Sequence, residues 1–123
     1  MSKLGQVGED LVAAYYQSLG YKILERNFIF PYGKQRGEVD LIVTKGKELV
    51  FVEVKTRSNQ KFGSPFESVD LYKQRKLVTT TKLYLRLHQR FYDYNHRIDV
   101  ASVDIDNKDK PVIILTNAIE DLD

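Results

Sequence analysis

Residues 36–57, RGEVDLIVTKGKELVFVEVKTR, hold two runs rich in β-branched and apolar residues, 37–44 and 48–56, joined by Lys45-Gly46-Lys47. Two such runs around a short glycine turn form an antiparallel hairpin. Strand side chains alternate between faces, which places Glu38, Asp40, Ile42 and Thr44 together and Val39, Leu41 and Val43 opposite them. On the next strand Phe51, Glu53, Lys55 and Arg57 share a face, with Val50, Val52 and Val54 behind. Asp40 and Glu53 are thus carboxylates set inside sheet-forming apolar runs. A buried ionised carboxylate costs several kcal/mol or more unless a cation, a metal or good hydrogen bonds compensate it.

Two explanations stand. In one, Asp40 and Glu53 hold a hard divalent cation such as Mg²⁺ or Mn²⁺, which binds one or two carboxylates plus phosphate and water oxygens. Lys55 then orients water or stabilises charge on phosphorus. In the other, Glu53 and Lys55 are an ordinary pair, about 7 Å apart along the strand, on a solvated sheet face. Spacing does not separate them.

Outward from the hairpin, Leu4, Val7, Leu11, Tyr15 and Leu19 recur at helical spacing, and Gly20 follows as a C′ glycine. Residues 21–30 read as a strand, broken by Pro31-Tyr32-Gly33. Beyond a loop with Gly63 and Pro65, Ser68 is an N-cap candidate for a helix over 69–89, held by Leu77, Tyr84, Leu87 and Phe91. Residues 98–105 and 112–115 read as two more strands. The order helix, three strands, helix, two strands gives an α/β fold, a mixed sheet with helices packed over it.

The 123 residues, 42% hydrophobic and 29% charged, suit a single globular domain spanning 1–123. Without cysteine there is no disulfide framework, thiolate nucleophile or cysteine-ligated metal; His88 and His96 lack carboxylates at ligand spacing and read as structural. No apolar run approaches the ~18 residues of a membrane span, and no secretory signal opens the chain, so a cytoplasmic protein is expected. Charge is uneven. Residues 71–97 carry seven basic side chains against Asp93 alone, whereas 98–123 carry seven acidic against two basic, the acidic end starting at about 106. A basic block of this kind is either a phosphate-facing surface or a solvated helix face.

Taken together, GEDLVAAYYQSLGYKILERNF, RGEVDLIV and LVFVEVKTR resemble the YraN-like family of small bacterial proteins. They are also similar to archaeal Holliday-junction resolvases and the wider PD-(D/E)xK nuclease superfamily. The resemblance implies a restriction-endonuclease-like mixed sheet of five strands flanked by helices. It also implies Mg²⁺- or Mn²⁺-dependent hydrolysis of phosphodiester bonds, DNA being favoured and branched or distorted forms suggested. It assigns Asp40 and Glu53 to the metal and Lys55 to catalysis, and makes Glu9 of the first helix an extra site residue. Glu9 lies off the helix's apolar stripe, so a solvated surface glutamate is the competing reading. Glu38 either assists the site or pairs with Arg57. Val39 stands where relatives carry proline.

Arg36, Arg57, Lys73, Gln74, Arg75 and Lys76 are the candidate nucleic-acid contacts. Gln74 lacks the tyrosine four residues on that accompanies a catalytic glutamine in some nucleases, and carries no catalytic role. Lys61 is a further phosphate candidate, and Tyr32, Phe62 and Phe66 either stack on unpaired bases or cover core edges. Resolvase relatives act as dimers, which implies a homodimer here. The alternative to a nuclease is a non-catalytic nucleic-acid-binding module with the same fold.

Overall fold

The computed structural model describes residues 3–32, 35–57 and 69–119, with backbone alone at 31, 32, 35 and 36. Helix α1 (Lys3–Ser18) precedes strands β1 (Lys22–Tyr32), β2 (Gln35–Lys45) and β3 (Glu48–Arg57). Helix α2 (Leu71–Leu87) and a 3-10 turn (Gln89–Phe91) lead to β4 (Asn95–Asp104) and β5 (Val112–Leu115). The sheet runs β1-β2-β3-β4-β5. It is antiparallel except between β3 and β4, which pair in parallel from Glu48 beside Asn95 to Arg57 beside Asp104. A parallel neighbour demands a long crossover, and α2 supplies it. This is the α/β fold that the element order predicts.

The two helices cover opposite faces. Val12, Ala13 and Tyr16 of α1 pack on Leu41, Val43, Val50, Val52, Ala101 and Val103. On the other face Leu77 and Tyr84 of α2 join Ile42, Leu49, Phe51, Ile98 and Val100. Tyr84 is the anchor, edge-on to Phe28 and Phe51 at centroid distances of 5.1 and 5.6 Å and stacked on His88 at 3.9 Å. Each large apolar side chain buried this way contributes about 1.5–3 kcal/mol. His88 Nδ1 also meets the Tyr84 carbonyl at 2.9 Å, which matches its structural reading. Among the described residues no helix is long and apolar enough to cross a membrane.

Helix α1 buries a different face from the predicted stripe. Gly8, Glu9, Val12, Ala13 and Tyr16 face the sheet, while Leu4, Val7, Tyr15 and Leu19 are exposed. The reason is close approach. A Cβ on Gly8 would overlap the Thr56 hydroxyl of β3, so the helix approaches the sheet closely at Gly8, and Val12, Ala13 and Tyr16 fill the face beyond it. Its C-terminus closes as expected: Gly20 sits at φ 94°, and the Tyr21 N–H reaches the Tyr16 carbonyl at 3.0 Å.

Helix α2 also departs in detail. Asp70 is its N-cap, accepting from the Lys73 N–H at 2.9 Å, whereas Ser68 lies outside the described residues. Leu87 is exposed, because the 3-10 turn carries Phe91 into the core in its place. Thr80 and Thr81 are buried with their hydroxyls turned back on the Lys76 and Val78 carbonyls, and Gly37 of β2 lies flush against Thr80.

Candidate active site

The site forms where the sheet comes apart. Pairing of β2 with β3 runs from Lys45/Glu48 to Leu41/Val52, so Asp40 and Glu53 lie just past its last pair. Next door, the β1–β2 register passes from Arg26/Leu41 to Phe28/Val39 around Asn27, whose φ is 53°. Asparagine tolerates this left-handed backbone better than other side chains do. Strand β2 changes face there. Val39 packs with Ile42 and Leu77 on the α2 side, not with Leu41 and Val43 as strict alternation predicts. Past the ladder's end the Asp40 side chain takes over the strand-bonding role, its Oδ2 accepting from the Val54 N–H at 2.8 Å.

On β3 the predicted alternation holds, and Glu53 and Lys55 share the α2 side with Phe51. Lys55 Nζ lies 3.8 Å from Glu53 Oε1, and the two side chains are 22% and 19% exposed. They are therefore not a pair on a solvated face. Asp40, Glu53 and Lys55 line one cavity of about 500 Å³, together with Glu38 and, from α2, Asp70, Tyr72, Lys73, Lys76 and Leu77. Burial, the Asp40 charge and a hydrogen bond to Asp40 push Glu53 up to about 8. Burial lowers Lys55, and the neighbouring Lys73 ammonium lowers it further, against the pull of Glu53. A Glu53 carboxyl whose ionisation the Asp40 charge opposes thus sits beside two lysines set close together.

Glu9 approaches from α1. It is only 4% exposed, which overturns the solvated-surface reading. Burial first, then the Asp40 charge, raises its pKa; Asn27 donates a hydrogen bond to it, yet its Oε1 is buried without a partner. Sequence periodicity hid this, because a charged residue on a glycine- and alanine-lined face does not read as core.

Residues 8–103 match the family described as uncharacterised protein family UPF0102. The chain is 43% identical to a UPF0102 protein of Caldanaerobacter subterraneus, over 81% of this chain and 78% of that one. It is 39% identical to one of Alkaliphilus metalliredigens over 96% and 99% of the two lengths. For one of Geobacter sulfurreducens the figures are 42%, 95% and 88%. The chain belongs to the UPF0102 family.

The donor set of this UPF0102 protein suits a hard divalent cation in one respect and limits it in another. Asp40 and Glu53 bring two carboxylates to one point, which is what Mg²⁺ uses when substrate and water fill its other positions. Among the described residues no three carboxylate or imidazole groups converge on a common point. Glu9 lies close enough to Asp40 for the Asp40 charge to raise its pKa.

The remaining candidates divide. Lys73 and Lys76 line the cavity, while Arg75 between them is exposed away from it. Gln74 donates its side-chain amide to the Val69 carbonyl at 3.0 Å and so braces the start of α2. Arg57 is half-buried near the end of β3, outside the cavity lining. Arg97, counted in the basic block, is drawn into ion pairs with Glu48 at 2.9 Å and Asp99 at 3.0 Å. The Arg36 and Tyr32 side chains and all of Lys61, Phe62 and Phe66 lie outside the described residues. Two contributors do not stand out from spacing, Asn27 and Tyr72. The repeat of an aromatic and a lysine four residues apart, Tyr72 and Lys76, is the signal that finds the second.

Proposed function

We propose that this UPF0102 protein is a divalent-metal-dependent nuclease that hydrolyses phosphodiester bonds in DNA. The observation that carries the reading is the meeting of Asp40 and Glu53, from separate strands, in an open cavity beside Lys55 and Lys73. Asp40 and Glu53 are the residues that would hold Mg²⁺ or Mn²⁺, which supplies Lewis acidity toward a phosphoryl oxygen and an acidified water. Lys55 and Lys73 repel each other until an anion lies between them, so they hold the scissile phosphate over the acid pair. Lys55, next to Glu53, stabilises the charge that builds on phosphorus. Lys76 and Arg75 grip flanking phosphates, contacts that position the strand without reading its sequence. The resemblance to PD-(D/E)xK nucleases supports the same roles for Asp40, Glu53 and Lys55.

The test is cleavage of labelled duplex, single strand, flap and four-way junction in Mg²⁺ or Mn²⁺, by wild type and Glu53→Gln side by side. Wild type is expected to cut and Glu53→Gln to lose at least 100-fold, the scale on which charge stabilisation operates. Equal cutting by both overturns the reading. Cutting by neither, with both binding in a steeply salt-dependent manner, replaces it with the non-catalytic binding module.

A further inference from the structure

One wall of the cavity is an aromatic ring that joins neither hydrophobic core among the described residues. Tyr72, in the first turn of α2, is 67% exposed. It lines the same cavity as Asp40, Glu53 and Lys55, and its chain neighbour Lys73 stands against Lys55. One helical turn on, the Lys76 ammonium lies 5.5 Å from the ring centroid. The ring thus has a cation at hand and stands beside the point where the phosphate would lie. The other aromatic residues of α2 and the turn after it contrast with it. Tyr84 and Phe91 are buried in the core, and Tyr92, though exposed, lies away from the acid pair.

From this placement we propose that Tyr72 is a stacking platform for a nucleobase next to the scissile phosphate. The consequence is that the substrate carries an unpaired nucleotide at the cut. The inference rests on the nuclease reading for its phosphate position. A base inside continuous duplex has both faces covered by its neighbours and none to offer a protein ring. An unpaired base at a flap or gap has one available, and a base on an aromatic side chain contributes about 1–3 kcal/mol. Lys76 reinforces the platform by holding the adjoining phosphate while its charge lies over the ring. The device prefers no base in particular, since every base has a π face.

The experiment uses the full chain and two DNA probes with 2-aminopurine at the same position, one in an unpaired flap and one in perfect duplex. Binding is followed by fluorescence in EDTA and cleavage in Mg²⁺. Wild type is expected to quench the flap probe and to bind it more tightly than the duplex. Tyr72→Ala and Tyr72→Leu are expected to lose quenching and about 5- to 150-fold in flap affinity, the equivalent of one lost stack. Tyr72→Phe keeps both, and duplex affinity is unchanged in all three. Because Tyr72 is exposed, the variants should melt with wild type, which circular dichroism checks. Equal loss on flap and duplex, or none on either, overturns the platform. The two readings separate cleanly. Ring-dependent quenching without cleavage sinks the nuclease and leaves the platform, whereas cleavage indifferent to Tyr72 does the reverse. A wild type that binds neither probe removes the platform.

Discussion

Strand β3 carries one carboxylate at its start and another at its middle, and the two places treat it oppositely. At the first, Glu48 belongs to a closed network: Arg97 donates to Glu48 and to Asp99, and Tyr21 donates to Glu48. The fully buried Asp99 also accepts from the Tyr16 hydroxyl and the Asn117 N–H, each at 2.8 Å. Five residues on, about 17 Å along the strand, Glu53 faces another acid and a lysine whose pKa burial lowers. The first arrangement ties α1, β3, β4 and the segment after β5 together, with each charged group held by hydrogen bonds within the fold. The second sets like charges side by side, acid against acid and lysine against lysine. Burial alone does not distinguish a structural carboxylate from a reactive one; the state of its partners does.

The network end should break hardest in stability. Asp99→Ala takes one of two carboxylates from half-buried Arg97, which keeps Glu48, and leaves the buried Tyr16 hydroxyl and the Asn117 N–H without their acceptor; each buried donor left unsatisfied costs about 1–3 kcal/mol. Urea denaturation measures it, and a loss below about 1 kcal/mol would show that the network is not the clasp described. Next in size is Gly8→Ala, where overlap with Thr56 is expected to cost about 1–3 kcal/mol. Thr56→Ala made in the same chain should recover most of that loss. Additive losses in the double variant would contradict the docking of α1 on β3.

The site end should respond with the opposite sign. Glu53 titrates at about 8 in the folded chain against an ordinary 4.5, so the folded state holds its proton more tightly than the unfolded state does. Raising the pH from about 4.5 to about 8 therefore removes stability from the metal-free protein, and above that both states are ionised and the loss levels off. Glu53→Gln is expected to flatten this slope. In EDTA at pH 8.5 it should be more stable than wild type by about 1–3 kcal/mol, and equal to it near pH 4. A variant less stable than wild type at pH 8.5 would make Glu53 a second structural carboxylate and erase the contrast.

How much of this the sequence discloses follows from which residues report honestly on their surroundings. The β2–β3 hairpin, β5 and the shared face of Glu53 and Lys55 are legible because strand periodicity is two and the runs are strongly apolar. Helix α1 misleads because the face with Val12 and Tyr16 also carries Gly8, Ala13 and Glu9, while Leu4, Val7, Tyr15 and Leu19 of the apolar stripe are exposed. Val39 lies on the α2 side against strict alternation, near Asn27 of the neighbouring strand, whose left-handed backbone local spacing does not encode. Arg97 reads as a surface cation until the fold brings Glu48 and Asp99 beside it. In each case the missing information is a contact between residues far apart in the chain.

The smallest effect compares two lysines, one at either end of β3. Lys47, in the hairpin turn, is exposed and 3.3 Å from Asp93, with its ammonium 4.8 Å from the Tyr94 ring. Lys73 faces Lys55 across the open cavity with like charge opposite. Each phosphate contact contributes about 0.9 to the slope of log affinity against log salt on duplex DNA. Lys73→Ala should therefore reduce that slope by about 0.9, and Lys47→Ala should leave it unchanged. Both residues are solvent-facing, so folding is not in question and the readout is binding alone. The same drop in both variants would mean that DNA feels only the protein's net charge. A drop confined to Lys73 assigns the phosphate to the cavity where the fold sets Lys73 against Lys55.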